Sequence, residues 1–415
     1  MSSEKYDIAF APINPRLIKL SFELSKLLES KGISCTILKT SLISSEHNGW
    51  EGYLQEDKYN TPITPVNEIE YSKNSNFFSY SYRIIKSRLL MNSSFEPSFK
   101  SLVVFMDDYA EAEILIPIMK NKKIPIILFQ EGFFVDETQY HFNAYSLAKY
   151  IRSRLLGTFF TSKKYGENSD YIFTWSNFGF KEYLDRINVS KSKIKIIGNP
   201  GKIEQQKTLS KKDYRDILVN HSPLSPRFSS QKWEDRLWIS LINVFDNTQF
   251  KLSIKPHPRI GFNNINKLVT KNKAKGHGAG LRVLDKKVSA ETLYNDFDVL
   301  INIFSASSFE ALYRGIPVIF IKSEFNNVRL LEVLAKANEI IMVDDVKKIP
   351  EILNKLNSDY DYRNEVIRMG FKAAEKLGGK LNIFDDQFPA EIKKILGAKN
   401  YENKYIFTRK MPWEM

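Results

Sequence analysis

Asp298-Val-Leu-Ile-Asn-Ile-Phe-Ser-Ala-Ser-Ser-Phe-Glu-Ala-Leu-Tyr-Arg-Gly-Ile-Pro-Val-Ile-Phe320 is the stretch that decides how this chain folds. Val299 to Phe304 is an apolar run of strand length, rich in β-branched residues. Ser305, Ser307 and Ser308 then stand where a helix begins, and serine is a preferred N-cap. Glu310 to Arg314 is the expected helix, and Gly315 fits its C-terminal cap. Pro317 prevents continuation, and Val318 to Ile321 is the next strand. The pattern is strand, serine-rich turn, short helix, strand, which is a unit of a parallel α/β sheet.

Such a turn has a chemical use. In open α/β sheets, ligands bind beyond the carboxyl ends of the strands. Backbone N–H groups at a helix start, helped by serine hydroxyls, suit an anion, and phosphate is the natural guest. Glu310 would stand within reach of a ribose hydroxyl. The plainer reading is that the serines cap a helix and Glu310 favours the positive end of its dipole. Upstream, Phe250 to Ile254 reads as a short strand, followed by Lys255-Pro-His-Pro-Arg259. Pro256 and Pro258 hold His257 in a stiff, extended turn, with Lys255 and Arg259 beside it. A histidine so flanked is a placed donor for a phosphate. Both segments would end on one edge of one sheet.

The pair of motifs, His-Pro after a strand and Ser-x-x-Ser-x-Glu-Ala-Leu-x-x-Gly-x-Pro-Val, resembles the C-terminal domain of GT-B glycosyltransferases. Within them it is similar to the bacterial capsule and envelope group: polysialyltransferases, Kdo transferases and teichoic-acid glycerophosphotransferases. The resemblance implies two Rossmann-like parallel-sheet domains facing a cleft, with a C-terminal helix crossing back. It also implies that His257, Ser305, Ser307 and Ser308 bind the donor's phosphates and that Glu310 contacts the donor; Lys255, Pro258 and Arg259, which flank the histidine, join them as candidate donor-binding residues. His257 would carry catalytic weight by neutralising the leaving group.

The N-terminal half reads as the acceptor side. Tyr6 to Phe10, Leu17 to Lys31 and Ser34 to Lys39 form a βαβ opening. Its turn lacks Gly-x-Gly-x-x-Gly, so it is not a classical dinucleotide site. Residues 46–97 are polar and aromatic and remain unassigned, and the lysine-rich, glycine-marked residues 265–280 read as a loop. Ser101 to Met106 is a buried strand, and Asp107 and Asp108 after it suit helix capping better than a metal. Ile124 to Phe129 is the next strand, and Gln130-Glu131-Gly132 follows it. A carboxylate there lies at the functional edge of the sheet. Gly132 permits a tight backbone, and Phe133 and Phe134 would raise the pKa of Glu131 toward that of a useful base. In the resembled families this position carries an acidic-Gly motif whose acid is the catalytic base or nucleophile. Glu131 is therefore the candidate catalytic residue. Gln130 stands where the family often has a second acid.

Ile194 to Ile197 is a further strand, and Gly198-Asn199-Pro200 resembles the close of the N-terminal domain in the same group. The expected division is 1–200 for the acceptor-side domain, 201–385 for the donor domain and 386–415 for the crossover helix and tail. Lys211 to Ser230 reads as polar and suited to a cleft rim. Gln387 to Leu396 is the expected crossover helix. Tyr401 to Met415 is basic and aromatic, as at a membrane interface, or a disordered tail.

Composition bounds the remaining classes. There are 61 Lys+Arg against 48 Asp+Glu, a net charge of +13, which favours polyanionic partners. No nucleic-acid motif accompanies the charge, so an anionic membrane surface or acidic glycan is the better partner. The single cysteine, Cys35, excludes a disulfide framework and a cysteine-based metal site. No apolar stretch approaches the ~18 residues of a membrane span, and Met1 to Lys5 is not a signal peptide. A cytoplasmic enzyme, peripheral on the inner membrane face, is expected. It would move a sugar from a nucleotide-activated donor, CMP-linked by preference and UDP-linked otherwise, to a surface polysaccharide or lipid-linked glycan. No cofactor and no metal are expected. A CDP-glycerol-type phosphotransferase, a UDP-sugar 2-epimerase and a non-enzymatic binder of anionic glycan or lipid are the alternatives.

Overall fold

The computed structural model describes residues 6–13, 15–40, 61–66, 86, 95–106, 110–130, 166, 168–178, 180–181, 190–200, 213–220, 230–246, 248–256, 267, 269–270, 280–285, 288, 293–303, 305, 307–324, 329–379 and 383–398. These fall into two compact units. The first carries β1 (Tyr6–Ala11), α1 (Pro15–Ser30), β2 (Cys35–Thr40), β3 (Ile63–Val66), β4 (Phe99–Val104), α2 (Ala110–Asn121), β5 (Ile126–Phe129), β6 (Tyr171–Thr174) and β7 (Ile194–Ile196). The second carries β8 (Asp216–Asn220), α3 (Gln231–Asp246), β9 (Lys251–Lys255), β10 (Leu281–Val283), β11 (Val299–Asn302) and α4 (Ser307–Tyr313). It continues with β12 (Val318–Ile321), α5 (Arg329–Lys336), β13 (Ile341–Val343), α6 (Ile349–Ser358) and α7 (Tyr360–Gly378). The last helix, α8 (Phe384–Gly397), follows the second unit in sequence but belongs to the first.

Each unit is built on one parallel sheet. The first has seven strands in the order β3-β2-β1-β4-β5-β6-β7, and the second has six in the order β10-β9-β8-β11-β12-β13. Every described strand pair is parallel. Parallel strands need crossover connections, and those cover both faces. That is why the central strands are apolar throughout: Ile126, Ile127, Leu128 and Phe129 are all fully buried. Two parallel-sheet α/β units with a returning last helix are what the resemblance to the GT-B glycosyltransferases implies.

α1 has no acidic residue in its first turn, so its apolar face holds it in place. Leu17, Ile18, Phe22, Leu24 and Leu28 are buried against β1 and β2. Gly32, at φ +78°, then turns the chain into β2. α8 completes the same core from the far end of the chain. Phe384, Phe388, Ile392 and Ile395 enter the cluster that holds Phe105, Phe129 and Phe173.

Residues 211–230, read from sequence as polar rim, instead contribute the central strand β8. Its apolar content is only Ile217, Leu218 and Val219, all fully buried. Asp298 steadies its start, accepting from the backbone N–H groups of Arg215 and Asp216 at 2.8 and 2.9 Å. β3 also emerges from a segment without a sequence assignment. It lies at the sheet edge, where a proline such as Pro65 is tolerated.

α4 ends as its sequence implies. Gly315 has φ +74°, and its N–H donates to the Leu312 carbonyl at 3.0 Å. A Cβ there would lie 3.3 Å from Phe371 Cζ on α7. Gly315→Ala should therefore cost about 1–2 kcal/mol for the left-handed backbone alone, read as a lower urea midpoint. The Tyr313 hydroxyl ties the same helix to the end of α7, hydrogen bonding the carbonyls of Ala374, at 2.9 Å, and Gly379. Burial pushes that phenol well above its ordinary pKa.

Candidate functional site

Three neighbouring strands of the second sheet end level with one another. In the register, Asn220 of β8 pairs with Lys255 of β9 on one side and with Asn302 of β11 on the other. Because the strands are parallel, all three residues stand at the carboxyl edge, where ligands of open α/β sheets bind. The serine turn follows directly from β11 at this edge.

The turn is fixed by hydrogen bonds from below. Asn220 Nδ2 donates to Ser307 Oγ at 2.8 Å, and Asn302 Nδ2 donates to Ser308 Oγ at 2.6 Å. Ser305 Oγ and Ser307 Oγ lie 2.8 Å apart, and the Ser307 N–H donates to Ser305 Oγ at 3.3 Å. The Ser308 N–H donates to the Ser305 carbonyl at 3.1 Å. From behind, the Tyr294 hydroxyl donates to the Ser307 carbonyl at 2.6 Å, with the Arg314 guanidinium 5.5 Å above the tyrosine ring. Ser308 is fully buried, whereas Ser305, Ser307 and Glu310 are half-buried. Glu310 lies in the first turn of α4, as its sequence position implies.

Lys255 is buried, and its Nζ donates to the Pro256 carbonyl at 3.3 Å. Burial away from water disfavours the charged ammonium and pulls its pKa below the ordinary lysine value of 10.5. An anion beside it would reverse that cost. If Lys255 contacts the ligand, affinity for a nucleoside diphosphate falls as pH rises through this depressed pKa, and Lys255→Ala removes that limb of the profile. Titrations at several alkaline pH values would read both. His257, Pro258 and Arg259 lie outside the described residues.

The corresponding edge of the first sheet is held by Gln130, directly after β5. Its Oε1 accepts from Thr174 Oγ1 and from the Trp175 N–H, each at 2.8 Å, and its own N–H donates to the Phe173 carbonyl at 3.0 Å. Gln130 is buried and thus clamps the end of β5 to β6 one residue before Glu131. Glu131 and Gly132 lie outside the described residues, as do Asp107 and Asp108. Gly198 follows β7 at φ +81°, a conformation that favours glycine, and Asn199 is buried beside it.

Sequence reasoning passed over Asn220. Its only signal was its place, one polar residue closing three apolar ones, with three strands between it and the serine motif. Among the described residues no cluster of His, Cys, Asp or Glu suits a metal, and no helix is long and apolar enough to cross a membrane.

No protein-family model and no curated protein sequence matches the chain. Solved structures do. A Listeria monocytogenes protein described as a UDP-N-acetylglucosamine 2-epimerase matches with a TM-score of 0.62 at 13% identity, over 95% of this chain and 97% of that one. A glycosyltransferase from Rickettsia africae matches with a TM-score of 0.57 at 13% identity, over 95% and 99%. HepE of Anabaena, in complex with UDP and glucose, matches with a TM-score of 0.57 at 12% identity, over 94% and 100%. With two parallel α/β sheets and near-complete coverage of such structures, this chain has the fold of the GT-B glycosyltransferases.

Proposed function

We propose that the protein is a glycosyltransferase that moves a sugar from a nucleotide-activated donor to a surface polysaccharide or lipid-linked glycan. The observation that carries this reading is the carboxyl edge of the second sheet. There Lys255, Asn220 and Asn302 end their strands in register, and the two asparagines hold the serine turn at that edge, an arrangement suited to a phosphate. Charge develops on the leaving nucleotide as the glycosidic bond breaks, and preorganised donors at that point lower the barrier. Lys255, His257, Arg259 and the serine turn supply them. Glu310 holds a ribose hydroxyl. Glu131, next in sequence after Gln130, removes the proton of the acceptor hydroxyl. With cationic side chains meeting the leaving group, turnover should survive dialysis against EDTA.

A CMP-linked sugar is the first donor to test, from the resemblance of the His-Pro and serine motifs to the capsule group. UDP-linked sugars stand beside it, since one of the solved structures of this fold is described with UDP and glucose. The 2-epimerase reading is the second choice, favoured by the likeness to the Listeria protein. One experiment separates them. The protein is incubated with CMP-sialic acid, CMP-Kdo, UDP-glucose and UDP-N-acetylglucosamine, each with and without acceptor glycans. Transfer releases free nucleotide only when acceptor is present. Epimerisation converts UDP-N-acetylglucosamine alone, with the sugar still attached. No change in any donor under either condition would overturn both readings.

A further inference from the structure

We infer that Asn220 is a positioning residue that sets the direction of the hydrogen bonds in the serine turn, making Ser305 its outward hydroxyl donor and leaving Ser308 as an internal brace. This rests on the donor-site reading above and refines which groups of that site meet the phosphate.

A serine hydroxyl has one hydrogen to give and two lone pairs to receive. Asn220 gives its amide hydrogen to Ser307 Oγ, so one Ser307 lone pair is taken. Either hydroxyl could give the hydrogen that joins Ser307 Oγ and Ser305 Oγ at 2.8 Å. The shorter donation enters at Ser307, 2.8 Å from Asn220 against 3.3 Å into Ser305, and it polarises Ser307 as the donor of that bond. Ser305 Oγ already accepts from the Ser307 N–H. With both its lone pairs engaged from the Ser307 side, the Ser305 hydrogen is turned away from the cluster. The chain of donors runs Asn220 to Ser307 to Ser305, and it ends on a half-buried hydroxyl. Successive bonds in one direction polarise each other, which strengthens the last donor. Ser308 is different. It is fully buried and receives from Asn302, itself fully buried, so its bond steadies the turn.

The amide ends support this division. Asn220 is 6% exposed and Asn302 0%, and the Oδ1 of each has no hydrogen-bond partner among the described residues. Leaving a buried acceptor unpaired is costly, so the geometry favours what the other end does. In both cases that is donation of a hydrogen to a serine. An ionised aspartate at either place could only accept.

The test uses the full chain, with UDP and CDP as probes and uridine and cytidine as their phosphate-free counterparts. Asn220→Ala removes the amide. Asn220→Asp keeps its shape and replaces the donor with an acceptor, which serves if the alanine variant does not fold. Each is made alone and together with Ser305→Ala. The single Asn220 variants should weaken diphosphate binding about tenfold, as for a lost hydrogen bond to a charged group, and leave nucleoside binding unchanged. In the Ser305→Ala background the same changes should cost less than about threefold, since the terminal donor is already gone. Equal costs in both backgrounds, or equal losses for nucleoside and diphosphate, would overturn the inference. Lys255→Ala separates this from the site itself. If it weakens UDP and CDP binding while the Asn220 variants do not, only the relay fails; if neither probe binds, or no variant at this edge matters, the donor site fails with it.

Discussion

Glu131→Gln should lower the rate of sugar transfer by about 10²- to 10⁴-fold, the range of a lost general base, while nucleotide binding stays within about twofold of the parent. Glutamine keeps the size of the side chain and its capacity to hydrogen bond, but it cannot take a proton at neutral pH. Gln130, the residue before Glu131, is anchored through its side chain to Thr174 and Trp175 and through its backbone to Phe173. The variant thus removes chemistry and leaves the donor-side groups of the second sheet untouched. The measurement is single-turnover transfer with saturating donor, alongside a nucleotide titration. A variant that transfers at the parental rate would remove Glu131 from the mechanism. Gln130→Ala takes an acceptor from the Thr174 hydroxyl and the Trp175 N–H, and it should lower both stability and rate, because the base is then less firmly placed.

Phe388→Ala should destabilise the first unit by about 3–5 kcal/mol, the usual cost of deleting a fully buried phenylalanine. Phe388 is 0% exposed. It stacks on Phe384 at 5.2 Å between ring centroids and meets the edges of Phe129 and Phe173 at 5.6 and 5.9 Å. Its removal empties the centre of a four-ring cluster, and edge-to-face pairs are lost beyond the area exposed. The change also loosens the only helix that returns to the first unit after residue 381 among those described, and with it the residues that hold Gln130. Two units need not unfold together, so urea melts should be followed with probes in each. The transition of the first unit should move to lower urea, and that of the second should stay within experimental error. A midpoint of the first unit unchanged from the parent would mean that α8 contributes little to it.

Much of this was present in the residues themselves, because its signals are local. The serine turn, Gly315 and Pro317 each impose one conformation on a few neighbouring bonds, and α4 with β12 follow from them. α1 announced itself through leucines at helical spacing, and the returning helix was expected only from the resemblance to the GT-B glycosyltransferases. β8 was missed for the opposite reason. Three apolar residues between Asp216 and Asn220 carry no periodicity, and the strand exists because β9 and β11 flank it. With the strand went Asn220, whose role depends on Ser307, 87 residues further on. The clamp made by Gln130 was equally hidden, since Thr174 lies 44 residues away. The sequence shows Gln130 as a departure from an acidic pair, and the structure gives the neutral amide a structural task. Long-range hydrogen bonds leave no mark on local pattern, and they are what turns a list of motif residues into a site.

The most direct test of nucleotide binding is a thermal-shift series with CMP, CDP, UMP, UDP, GDP and dTDP against the parent protein and His257→Ala. A ligand at about a hundred times its dissociation constant adds about 2.7 kcal/mol to the folded state, which raises the melting temperature by several degrees. One cytidine or uridine nucleotide should raise the melting temperature of the parent, and the rise should be absent in His257→Ala. No shift with any of the six, or a shift that survives the loss of His257 undiminished, would contradict the donor site assigned to the carboxyl edge of the second sheet.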